Sequence, residues 1–171
     1  MACNTIINIP NTDCGNNIGG IYQIYGISQD SITGTTIDEA THMVTDIQTD
    51  GTLFQKFYVD RNIANLTSTP VPNFDGGNTT YDTTLSAVFK RRQAATSRAL
   101  TVLGEGQRYL GFLVQTANED WNYIPYSRLN GGPETTNVQQ KDGSNYTVEF
   151  MAELNNRPYF VPLSAVTAVI S

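Results

Sequence analysis

YDTTLSAVFKRRQAATSRALTVLGEGQRYLGFLVQT, residues 81–116, changes its hydrophobic period twice within a short span. Thr83–Lys90 alternates: Leu85, Ala87 and Phe89 face one way, Ser86, Val88 and Lys90 the other, as in a half-buried strand. From Arg92 to Leu103 the spacing becomes helical, with Ala95, Ala99 and Val102 forming one stripe beside Leu103. Gly104 and Gly106 then stop the helix, as glycines at helix C-termini do. Arg108–Thr116 is apolar on both faces, which marks a central strand. Almost everything around this span reads as strand and polar loop. The expected fold is therefore mainly β, a sandwich or barrel of antiparallel strands with one flanking α-helix over about 92–103.

Working outward, Ile21–Ile27 (IYQIYGI) is a strongly apolar strand, and Thr41–Ile47 is a weaker one reached through the polar connection Ser28–Thr36. Asp50-Gly51 signals a turn into Thr52–Asp60, rich in β formers. Residues 61–78, with Pro70, Pro72, Asp75, Gly76 and Gly77, read as a long loop, and residues 129–142, with Gly131-Gly132-Pro133, as a second. Asp120–Tyr126 (DWNYIPY) is an aromatic strand. After Gly143, Tyr146, Val148, Phe150 and Ala152 alternate with Thr147, Glu149, Met151 and Glu153, and Asn155-Asn156 makes a turn. Pro158–Ile170 closes the chain with an apolar segment expected to find its partner outside the subunit. At the other end, Thr5–Ile9 reads as a short strand and Asn11–Gly20 as a loop or hairpin tip. The whole is one domain over 1–171 with extended loops (61–78, 129–142) and terminal arms; 171 residues suffice for one well-buried core.

The formal net charge is −6, and Lys56, Lys90 and Lys141 are the only lysines. An acidic chain attracts phosphate backbones poorly, which argues against sequence-independent nucleic-acid binding. The opening MACNTIINIPNTDCG has neither a cationic start nor a continuous apolar core, so no secretory signal is expected and synthesis in a cytoplasm is. No run approaches the roughly 18 apolar residues of a membrane span. Cys3 and Cys14, without a CxxC motif and beside a single histidine, support neither a disulfide framework nor a zinc site.

Enzymatic chemistry finds little to work with. His42 is the only histidine, no G-x-S-x-G elbow is present, and His42 reads as a structural or surface residue. Asp38-Glu39 and Glu119-Asp120 are adjacent pairs, which a strand points to opposite faces. NFDGGNTT (Asn73–Thr80) and NTDCGNN offer oxygens near glycines, but turn chemistry explains them without calcium. GEGQ (Gly104–Gln107) follows a helix rather than opening one, so it is no phosphate loop. The chain is expected to be non-enzymatic and to need no metal or other cofactor. Lys90-Arg91-Arg92 is the main basic cluster and sits at a helix start, where the dipole disfavours positive charge. Carboxylates of this subunit or of a neighbour should compensate it, which makes Lys90, Arg91 and Arg92 candidate subunit-interface residues. Trp121 and Tyr123 share a face near Tyr126, where stacking on sugars competes with ordinary core packing.

Thr52–Asp60, the loop after it, residues 81–116, DWNYIPY and DGSNYTVEFMAELNNRPYF together resemble the bacteriophage tail tube proteins, similar in fold to type VI secretion tubes. The resemblance covers roughly residues 50–160. The opening DCGNNIGGIYQIY is similar to structural proteins of phages infecting Bacteroidetes. The resemblance implies a β-sandwich with one flanking helix and a structural role in the virion, in a phage tail made in the host bacterial cytoplasm. It also implies stacked hexameric rings of this chain, other tail proteins as partners, and DNA passing without specific binding. An acidic lining would repel the passing phosphates. Glu149 and Glu153 are one candidate lining, and Asp46, with Asp50 and Asp60, belongs to another. Rival expectations are a tail terminator, a capsid decoration or baseplate ring protein, or a β-sandwich carbohydrate-binding module.

Overall fold

The structure, a computed structural model, describes residues 18–60, 63–136 and 143–170. In chain order these form β1 (Ile21–Ser28), β2 (Ile32–Asp38), β3 (Met43–Thr49), β4 (Gln55–Phe57), β5 (Ala64–Asn73), β6 (Asn78–Lys90) and α1 (Ala94–Gly104). There follow β7 (Leu110–Thr116), β8 (Trp121–Gly131), β9 (Glu134–Thr135), β10 (Asn145–Leu154), β11 (Tyr159–Val161) and α2 (Leu163–Thr167). The protein is mainly β, with α1 flanking the strands as the sequence predicts. The strands expected at Thr5–Ile9 and the loop opening at Asn11 lie outside the described residues.

β7 is the centre of the molecule. It pairs antiparallel with β1 on one side and β8 on the other, and β4 continues beyond β1. Successive side chains of a strand point to opposite faces, so this layer feeds two cores. Ile24, Phe112, Val114 and Ile124 enter the first, which β6 and β10 complete with Leu85, Ala87, Val148 and Phe150. Tyr25, Leu113, Trp121 and Tyr123 enter the second, closed by Val44 and Ile47 of β3, Val161 of β11, and Ala165 and Val166 of α2. β8 joins the two layers: Trp121–Tyr123 pairs with β11, and Arg128–Gly131 pairs with β10. The hydrogen-bonded path runs β2-β3-β11-β8-β10-β6-β5. The named strands pair antiparallel except β11 beside β3, which is parallel.

Several expectations are corrected. The loop expected over 61–78 is no loop where it is described, from residue 63 on, because Ala64–Asn73 is a ten-residue strand in unbroken register with β6. Its prolines are tolerated by parity. Val88 N–H donates to the Ile63 carbonyl, so odd-numbered residues of β5 bond β6 and even-numbered ones turn their N–H outward. Pro70 and Pro72 are both even, and the missing N–H of each falls on the open side. Glycine and aspartate serve only the tip, where Asn73 Oδ1 accepts from Gly76 N at 3.0 Å and Gly77 takes φ +66°. The second expected loop, 129–142, is shortened on one side, since β8 runs on to Gly131 and β9 pairs with β10; residues 137–142 lie outside the described ones. The polar connection Ser28–Thr36 holds most of β2, an edge strand whose Thr and Gly mimic a loop. Of Thr52–Asp60 only Gln55–Phe57 is strand.

The packed face of α1 also differs. Ala95, Ala99 and Val102 are exposed, while Leu100 and Leu103 pack against the first core beside half-buried Thr96 and Ser97. Both stripes have helical spacing, and the leucines win because each buries more apolar surface than alanine. Gly104 abuts Leu129, and Gly106 terminates the helix at φ +66°. The closing segment finds its partner inside the chain: Ala165, Val166 and Val169 are buried in the second core, so the C-terminal part is a clasp and not an arm.

Candidate functional site

β5 pairs with β6 alone among the described strands, and its outer side is open. Exposed strand edges are usually blunted by charges, prolines or bulges, because unpaired N–H and C=O groups recruit other strands. β2, at the opposite end of the path, carries Asp38 and two register shifts. Ala64–Thr69 has none of these protections: no charge, no proline and continuous register. Beyond it, the hairpin projects past β10, whose pairing with β6 ends at Tyr81. At its tip Phe74 is 90% exposed, with Val71 also exposed. The sequence reading took this stretch for a long loop; the structure makes it a paired two-stranded ribbon. The signal that reveals it is the shared parity of Pro70 and Pro72 with inward-facing Leu66 and Ala64.

The basic cluster is largely compensated within the subunit. Lys90 Nζ lies 2.8 Å from Asp60 Oδ2, both side chains being exposed. Arg92 pairs with Glu134, which places β9 against the turn. Arg91, at φ +66°, donates its N–H to the Ser144 carbonyl at 2.7 Å, and Arg92 N–H donates to Ser144 Oγ at 3.1 Å. These contacts tie the turn to the start of β10. Arg91 makes no ion pair among the described residues.

The candidate acidic residues are not brought together. Glu149 and Glu153 lie on the face of β10 turned away from the first core, and Glu149 accepts from Asn130 Nδ2 at 2.7 Å. Asp46 lies on β3, where Val44 and Ile47 point into the second core and leave Asp46 outside. The two cores flank the β1–β7 layer, so these outward faces look in opposite directions. The β2–β3 side is the more uniformly negative. Asp30, Asp38, Glu39, Asp46 and Asp50 fall between Gln29 and Gln55, a span without lysine or arginine. Thr41 Oγ1 and the Ala40 N–H donate to Asp38 at 2.8 and 3.0 Å and hold its carboxyl below the usual range. Hydrogen bonds from Thr52 do the same for Asp50.

Trp121 and Tyr123 do not offer a sugar platform. Both are buried in the second core, where burial pushes the Tyr123 hydroxyl up to about 12. Tyr126 is on the surface, because a bulge at Pro125–Tyr126 interrupts the alternation. His42 is in a turn at φ +55°, its ring on Tyr159 with centroids 4.4 Å apart and Nε2 3.3 Å from the Pro158 carbonyl. Among the described residues no group of three or more His, Cys, Asp or Glu is placed to hold a metal, and no helix is long and apolar enough to cross a membrane. Comparison with protein-family models, curated proteins and solved structures gave no match.

Proposed function

We propose that this chain is a non-enzymatic structural subunit of a bacteriophage tail, a tube protein that closes into hexameric rings and stacks around a DNA channel. The unprotected edge of Ala64–Thr69 carries the reading. β5 is an open edge that pairs with β6 alone among the described strands, and a head-to-tail contact between this edge and a different surface of the next subunit closes a ring when the rotation permits. The projecting hairpin tip with Phe74 is suited to a second contact, between stacked rings. The β2–β3 side, with five carboxylates and no cation, is the better channel lining, since it repels phosphates. The mainly β fold with α1 flanking the strands supports the resemblance to tube proteins.

The test is Ser68→Pro. Ser68 is even-numbered, so its N–H faces the open edge, and proline removes a donor that β6 does not use. Sedimentation velocity should show wild-type oligomers and a folded, monomeric variant. Wild-type protein that stays monomeric, or a folded variant that assembles normally, would overturn the edge-mediated ring. Rings that never stack would instead indicate a terminator or baseplate ring.

A further inference from the structure

We propose that the cleft between β8, β10 and the turn after α1 is a saccharide-binding site. The inference stands apart from the assembly reading, because it concerns the surface on which Tyr126 and Arg128 emerge. The cleft has a volume of about 750 Å³, the size of small-molecule sites, which run from about 300 to 1,000 Å³.

Its geometry begins with one extra residue in β8. Ile124 pairs with Phe112 and Ser127 with Leu110, so Pro125 and Tyr126 together face Gly111. Such a bulge re-aims a side chain, and here it turns Tyr126 off the face on which Ile124 enters the first core and onto the surface. Tyr126 sits at φ +53° and its N–H donates to Gln29 Oε1 at 3.1 Å. Gln107, on the cleft's other wall, is also left-handed at φ +49°. Two non-glycine residues in this region lining one cleft is the kind of stored strain that gathers at binding sites.

The side chains complete the case. Tyr109 stands edge-on to Tyr126, with centroids 5.8 Å apart and planes at 86°. The Arg128 guanidinium lies 3.9 Å from the centre of the Tyr109 ring. Tyr109 contacts both neighbours: Tyr126 stays 55% exposed, and the stacked Arg128 is exposed and without an ion pair among the described residues. Glu153 and Asn155 line the same cleft. A sugar ring presents an apolar C–H face and a rim of hydroxyls that both donate and accept. An exposed tyrosine face suits the first, and a mixture of guanidinium, amides and carboxylate suits the second. A purely anionic ligand fits less well, since Glu153 would oppose it.

The experiment exposes the full chain to an array of immobilised neutral and uronic-acid oligosaccharides and follows each hit by titration calorimetry. At least one oligosaccharide class should bind. Tyr126→Ala and Arg128→Gln should each weaken that binding about tenfold or more, the loss of one good contact. Tyr58→Ala, an exposed aromatic outside the cleft, should leave it unchanged. Matching circular-dichroism melting curves establish that the variants fold. The proposal is overturned if no oligosaccharide binds at millimolar concentration, or if binding survives the Tyr126→Ala/Arg128→Gln double variant. It is equally overturned if those substitutions abolish ring assembly and no sugar binds, which assigns the cleft to a neighbouring subunit.

Discussion

β7 and β5 are both strands built from small and branched residues, yet they stand at opposite extremes of the molecule. β7 is hydrogen-bonded on both sides and feeds two cores, with Phe112, Leu113 and Val114 having no exposed surface. β5 is bonded on one side, and from Pro70 onward every residue is exposed. The difference separates what holds the subunit together from what is free to join it to another. Stability resides in the β1–β7–β8 layer, where side chains are fully removed from water and tightly packed. The hairpin contributes little to that stability, and its uncharged edge and Phe74 tip stay exposed, as the proposed assembly requires.

The contrast is sharpest under mutation. Phe112→Ala removes a fully buried ring that packs on Phe57 and Phe150, and should cost about 3–5 kcal/mol in urea unfolding. A loss below about 1 kcal/mol would contradict the central role of β7. A smaller effect comes from Tyr123 in the same layer. Its hydroxyl ionises at about 12 in the folded protein against an ordinary 10.0, because burial disfavours the charged form. The raised value makes the contribution complete below pH 10 and progressively lost as pH rises from 10 towards 12. It amounts to about 2–3 kcal/mol at its limit. Tyr123→Phe should flatten that alkaline decline; an unchanged pH profile would place the tyrosine in contact with solvent. The smallest expected change in stability is at the other pole: Phe74→Ala should shift unfolding by less than about 0.5 kcal/mol while weakening oligomers in sedimentation. A large stability loss there would erase the division between the two regions.

The same two strands show what a sequence reveals. β7, β6 and β10 were legible because a continuous apolar run or strict alternation reports burial directly, as at Leu85–Ala87 and Val148–Phe150. β5 was not, because its prolines, with Gly76 and Gly77 just beyond it, carry the local signature of a loop. Only their position relative to the partner strand shows that the prolines spare every hydrogen bond to β6. For α1, spacing alone could not choose between the alanine stripe and the leucine stripe. The basic turn was correctly read as needing carboxylates, but Asp60 and Glu134 are distant in sequence and no local pattern names them. Tyr126 shows the remaining difficulty: plain alternation would put it on the face of Ile124, in the first core, and one bulge after Ile124 turns it onto the surface. Nothing in the letters ties Tyr109 to Tyr126 and Arg128, which it meets through the pairing of β7 with β8.

Negative-stain electron microscopy of the purified full-length chain tests the assembly most directly. The account predicts six-fold rings with a central channel, stacking into tubes as concentration rises and failing to form with Ser68→Pro. Uniform monomeric particles at every concentration would contradict it.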